Sequence, residues 1–104
     1  MQHTVVFTPE AEEQLANLYR YIAVAASPQI AERYTSAIVN YCQGLQTFPH
    51  RGRRRDDIRP GLRITNYQGR AVIAFDVDAE RVSIIGVFYG GQDYETALQS
   101  DMDE

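Results

Sequence analysis

The sequence predicts an α+β domain with the element order β-α-α-β-β-β, in which a helical hairpin packs on a mostly antiparallel four-stranded sheet. Three features of the chain predict it. Two apolar stripes at helical spacing fill the first half, each opened by a capping residue and a proline. The joint between them is only a few residues long, which sets the two helices antiparallel. Three runs of strand character fill the second half, parted by short turn sequences.

Val5-Val6-Phe7 is a short β-type run. Thr8-Pro9 then supplies an N-cap and a proline at the first helical position, and Glu10, Glu12 and Glu13 fall where the helix dipole favours negative charge. Ala11, Leu15, Leu18, Ile22 and Ala25 lie on one face of this helix. Ser27-Pro28 repeats the start signal, and Ile30, Tyr34, Ile38, Tyr41, Leu45 and Phe48 mark the face of a second helix that Pro49 stops. Tyr34, Tyr41 and Phe48 read as core. A loop rich in Arg, Gly and Asp runs from Pro49 to Gly61. The strand runs are Leu62–Tyr67, Arg70–Val77 and Arg81–Tyr89, joined by turns at Gln68-Gly69 and Asp78-Ala79-Glu80. The last run is apolar on both faces, as a central strand should be. Gln92–Gln99 reads as a turn or short helix, and residues after about 96 as a flexible tail.

With 104 residues the chain is one domain, spanning 1–104. A hydrophobic fraction of 44% and a charged fraction of 23% are those of a globular protein. No stretch approaches the roughly 20 apolar residues of a membrane span, and no basic residue precedes an apolar run at the start. Cys42 is the only cysteine, which excludes an internal disulfide and a cysteine-built zinc site. No group of His, Asp and Glu has metal-ligand spacing, so neither metal nor cofactor is expected. These features favour a cytoplasmic location as the expectation.

The net charge is -4, yet the positive charge is concentrated. All ten basic residues are arginines, and seven of them lie between 51 and 70, against Asp56 and Asp57. Arg53, Arg54, Arg55, Arg59 and Arg63 read as an anion-facing surface for a target. The alternative is a solvated loop partly neutralised by its two aspartates. His50 has no second titrating partner and reads as an exposed loop histidine. Tyr89, at the exit of the last strand before Gly90-Gly91, could share a concave site with Arg63 and Arg70 from neighbouring strands. No nucleophile has the setting of a triad. What remains is basic surface and aromatic anchors, the chemistry of binding.

Certain residues, in order and spacing, carry a likeness. They are Val6-Phe7-Thr8-Pro9-Glu10-Ala11, Leu15, Tyr21-Ile22, Arg33-Tyr34, Ile38 through Leu45, and Phe48-Pro49 with Gly52. Arg55-Asp56-Asp57-Ile58-Arg59-Pro60-Gly61-Leu62-Arg63 follows, then Tyr67, Arg70 and Val87 through Glu95. Over nearly the whole chain they resemble the ParE-type toxins of type II toxin–antitoxin modules, within the RelE/ParE superfamily. The resemblance implies the fold read above and a ParD-type antitoxin that neutralises the chain. It also implies inhibition of DNA gyrase by binding, with no direct DNA binding unless the antitoxin is present. The RelE branch instead cleaves mRNA on the ribosome. On that reading Arg63 and Arg70 would hold phosphate and Tyr89 would lie near the ribose 2′-OH. The chain departs from that branch in having no lysine and no histidine after the last strand. A third reading is a degenerate member that binds its antitoxin and poisons nothing. Since a domain this small has little core to spare, an amphipathic antitoxin segment is expected to bind through the helical hairpin, at Leu15, Leu18, Ile22, Tyr34 and Ile38, and the adjoining sheet.

Overall fold

A computed structural model describes residues 3–102, with side chains through Gln99. The order is β1 (Thr4–Phe7), α1 (Pro9–Ala25), α2 (Pro28–Gln43), a 3-10 turn (Gly44–Gln46), β2 (Arg53–Arg54), β3 (Leu62–Tyr67), β4 (Ala71–Val77), β5 (Arg81–Tyr89) and α3 (Tyr94–Met102). Both helix starts form as their sequences dictate. The Thr8 hydroxyl accepts from Ala11 N at 3.2 Å and the Ser27 hydroxyl from Ile30 N at 3.1 Å, each relieving one of the unpaired amides of a helix start.

The strands make one sheet in the order β1-β5-β4-β3-β2. β1 runs parallel to β5, which requires a crossover, and the α1–α2 hairpin supplies it. The other pairs are antiparallel. Gln68 and Gly69 both have positive φ, 54° and 71°, the pattern of the two-residue turns that suit strand twist. At the second turn Asp78 Oδ1 accepts from the amides of Glu80 and Arg81 at 2.8 and 2.7 Å, and these bonds hold its carboxyl below the usual range.

The sheet is covered on both faces. On one side Ala11, Leu18 and Ile22 of α1 and Ala31, Ile38 and Cys42 of α2 pack with Ile73, Phe75, Val82, Ile84 and Val87. On the other, Leu62, Ile64, Ala74 and Phe88 pack with Ile58 of the arginine loop and Leu98 of α3. Ala74 pairs with Gly86 and Phe75 with Ile84, so Ile85 is an extra residue in β5 that shifts the phase of its alternation: Ile84 and Val87 pack with the hairpin layer while Ile85 and Phe88 pack with the α3 layer. Burial pushes the Cys42 thiol up to about 12. The thiolate is the reactive form, so Cys42 is expected to resist a thiol-modifying reagent at pH 8 in the folded chain and to react fully in denaturant. Rapid labelling under native conditions would contradict this packing.

Four expectations are corrected. The sheet has five strands, because Arg53–Arg54 pairs with Ile64 and Arg63; a two-residue edge strand shows no alternation to read. The stretch after about residue 96 is helix through Met102, with Leu98 buried at its centre; residues 103–104 lie outside the described residues. Phe48 is not core but 60% exposed, because α2 ends at Gln43 and the 3-10 turn breaks the helical phase. The hairpin face expected to meet an antitoxin is interior. Leu18, Ile22 and Ile38 are buried, with Leu15 and Tyr34 packed against the same cluster, because the sheet claims that stripe first.

Candidate functional site

The arginine loop is folded, not a solvated run. Arg55 is its hub. Its Nε and Nη2 donate to both oxygens of Asp57 at 2.9 Å, and Nη2 also reaches Glu95 Oε2 at 2.6 Å. Its side chain keeps only 18% of its surface. The hydrogen bonds to Asp57 and then Glu95 raise its pKa further, and the same contact holds the Asp57 carboxyl below the usual range. Arg59 Nη2 donates to Leu98 O at 3.3 Å. Two of the predicted target arginines therefore bind α3 to the loop. Arg63 is turned to the chain: Nη2 donates to His50 O at 2.7 Å and Nε to Arg51 O at 3.4 Å. Arg54 pairs with Asp56 at 3.2 Å, both largely exposed, a contact of small worth. Asp56 also accepts from Gly61 N at 2.8 Å, and that bond, with Arg54, holds its carboxyl low. Arg53 and Arg54 are exposed.

These depressed carboxyls set a pH dependence. A group whose folded pKa lies below its unfolded value of about 4 stabilises fully above that value, and the contribution is lost as pH falls through the folded pKa. Thermal stability is therefore expected to hold from pH 7 down to about 4 and to fall below it, as Asp56, Asp57 and Asp93 protonate. Melting curves of the Asp57→Asn variant should show a shallower acid limb; an unchanged limb would remove Asp57 from the explanation.

Arg70 and Tyr89 do come together. A groove of about 440 Å³ at the tip of the hairpin is lined by Tyr21, Ile30, Tyr34, Gln68, Arg70 and Tyr89, among others. β3 and β4 place Tyr67 opposite Ala71, and β4 and β5 place Ala71 opposite Tyr89, so the two tyrosines flank one strand at the sheet end. Tyr34 packs edge-on to Tyr67 and Tyr89, with centroids 6.1 and 5.6 Å apart. Its hydroxyl is buried and has no partner. Burial, then Tyr89 and Tyr67, push its pKa up, while Arg70 opposes them. Arg63 does not line this groove.

Sequence reasoning missed Tyr21 and the Gln14–Gln92 pair. Tyr21 stacks near Tyr89 at 6.4 Å and is 63% exposed. Gln14 Oε1 accepts from Val87 N and Gln92 Oε1 from Tyr89 N, both at 2.7 Å. Neither glutamine carries a sequence signal, since the pairing depends on where β1 stops. Among the described residues no group of three His, Cys, Asp or Glu could hold a metal, and no helix is long and apolar enough to cross a membrane.

The profile of the family described as "ParE toxin of type II toxin-antitoxin system, parDE" matches residues 5–94. Among solved structures, the chain is similar to one from the chromosomal ParDE toxin–antitoxin system of P. aeruginosa. The TM-score is 0.75 at 21% identity, over 86% of this chain and 97% of that one. It is also similar to a chain of the toxin–antitoxin complex RelBE2 from Mycobacterium tuberculosis. There the TM-score is 0.63 at 23% identity, over 86% and 99%. Both likenesses are of fold. No curated protein matches the chain.

Proposed function

The chain belongs to the ParE toxin family of type II toxin–antitoxin systems, and from that membership we infer that it acts by binding its target without breaking a covalent bond. The target on this reading is DNA gyrase, and a ParD-type antitoxin neutralises the toxin in the cytoplasm. The observation that carries it is the dispersal of the residues an RNase would need. Arg70 and Tyr89 share a groove, but Arg63 is turned onto the carbonyls of His50 and Arg51. The groove's other titrating side chains are tyrosines, so no histidine or carboxylate stands there as general base. Arg53 and Arg54, exposed at the sheet edge, lead the target-facing surface; Arg55, Arg59 and Arg63 shape it from beneath.

The convergence of Arg70 and Tyr89 favours a second reading, cleavage of ribosome-bound mRNA, and one experiment separates the two. The chain is induced in growing cells while DNA synthesis and translation are followed separately. The binding reading expects DNA synthesis to fall first, and expects Arg70→Ala with Tyr89→Phe to leave the fold intact and not to abolish toxicity through loss of RNA cleavage. Translation failing first, with mRNA cut on purified ribosomes and spared by that double variant, would establish the RNase. Undisturbed growth with soluble toxin present would leave a chain that only binds its antitoxin.

A further inference from the structure

β1 covers only part of β5. Its pairing runs from Thr4 opposite Arg81 to Phe7 opposite Ile84. Thr8 N then donates to Ile84 O at 3.0 Å, and the chain leaves into α1. β5 continues to Tyr89. Beyond Ile85 it is bordered by a strand on the β4 side alone. On the open side its amides are met by side chains: Val87 N by Gln14 and Tyr89 N by Gln92, each at 2.7 Å. Residues two apart in a strand point their amides to the same side, so both donors face away from β4. Beside them lies a cleft of about 490 Å³, walled by Gln14, Asn17, Leu18, Tyr21, Gly91 and Gln92 among others.

We propose that this edge is a strand-addition site, filled in the neutralised complex by an extended segment of the antitoxin, and that Gln14 and Gln92 hold the two amides until the segment arrives. The inference rests on the reading of the chain as an antitoxin-controlled toxin. A glutamine amide offers the same acceptor as a backbone carbonyl, on a stem that can rotate away. An incoming strand exchanges each hydrogen bond for an equivalent one, so the exchange is close to neutral. The gain comes from covering Tyr21, which is 63% exposed at the mouth of the cleft. Val87 and Tyr89 stand at the two-residue repeat at which an extended peptide presents its carbonyls to one side.

The charge pattern completes the segment's chemistry. The adjoining groove shares Tyr21 and Tyr89 with this cleft, and Arg70 is the one charged residue among those lining it. The segment therefore carries an apolar side chain over Tyr21, then a carboxylate that reaches Arg70 where the edge runs out. A polypeptide is favoured over nucleic acid, because the donors are backbone amides at strand spacing, and a nucleic-acid track recruits several cations where this one offers a single arginine.

Amide hydrogen exchange tests this on the full-length toxin, free and in complex with the product of the neighbouring reading frame. Val87 and Tyr89 are expected to slow by about ten-fold or more in the complex. Gly91→Trp, at a position where an added Cβ meets nothing within 4 Å, should weaken the complex by about ten-fold or more with little change in melting temperature. Arg70→Glu should weaken it further, and Gln14→Ala with Gln92→Ala should leave it formed. A complex in which Val87 and Tyr89 exchange at the free rate overturns the strand-addition site and leaves the antitoxin reading standing. No complex with the wild-type chain overturns that reading and this inference together. Protection of these amides by a single-stranded oligonucleotide, and not by the antitoxin, overturns the choice of a polypeptide.

Discussion

Ile38→Ala is expected to destabilise the free toxin by about 2–5 kcal/mol, a large share of the 5–15 kcal/mol typical of a domain. Ile38 is fully buried, at the centre of the layer between α2 and the sheet. Truncation removes its transfer free energy and leaves a cavity walled by helix and strand backbones that cannot both close on it. Denaturant titration of the free chain reads the effect directly. Ile30→Ala, on the same helix but 48% exposed, should shift stability by less than about 0.5 kcal/mol. The comparison also decides between core and interface. Had Ile38 belonged to an antitoxin surface, its truncation would spare the free toxin and weaken only the complex. Wild-type stability for Ile38→Ala would therefore overturn the packing described here.

How far the sequence reaches is seen in these same residues. Periodicity found Ile38 and its neighbours as an apolar stripe, but a stripe has no label saying whether the chain itself or a partner covers it. The caps at Thr8 and Ser27 and the strands at 62–67 and 81–89 are local matters, set by side chains a few residues apart, and were legible. The helical hairpin and the mostly antiparallel sheet followed from them. The parallel pairing of β1 with β5 was not, because it joins residues 77 apart and no local rule names the partner. The site divides likewise. Arg70 and Tyr89 could be placed on neighbouring strands, and they do line one groove. Arg63 was assigned with them on strand proximity alone, and its guanidinium instead serves the loop backbone. The concentration of arginines was plain in the sequence. That Arg55 and Arg59 spend their hydrogen bonds on α3 was not, since Glu95 and Leu98 lie about forty residues away in the chain.

That division changes what mutagenesis of the loop means. Arg53 and Arg54 can be replaced with little consequence for the fold, because one is exposed and the other pairs only with exposed Asp56. Replacing Arg55 with them would also release Glu95 and Asp57, and so loosen α3 over Ile58, Leu62 and Phe88. A loss of toxicity in such a triple variant would confuse a missing contact with a missing helix. A test of the target surface therefore belongs to Arg53 and Arg54, with Arg55 kept as the wild-type residue.

Gly52→Ala is expected to cost about 3 kcal/mol, from a left-handed backbone penalty of about 1–2 kcal/mol and a steric term of similar size. Gly52 has φ +80°, a region L side chains rarely adopt, and an added Cβ would lie 2.3 Å from Ile64 O and 3.1 Å from Thr65 Cβ. The atom in the way is backbone of β3, which is fixed by its ladder with β4, so the strain falls on the weaker side. That side is β2, two residues held at the sheet edge through Arg53–Ile64 and Arg54–Arg63. The expected result is loss of that pairing and release of the loop that β2 positions: the Arg55 N to Leu62 O bond of 2.8 Å and the Arg63 contacts to His50 and Arg51. For a domain of about 100 residues, this lowers Tm by more than about 10 °C. Gly61→Ala is the informative comparison. Its φ is also +80°, but an added Cβ meets nothing within 4 Å, so it carries the backbone penalty alone. If the two variants melt together, the close approach of Gly52 to β3 contributes nothing, and the edge strand is not what holds the arginine loop in place.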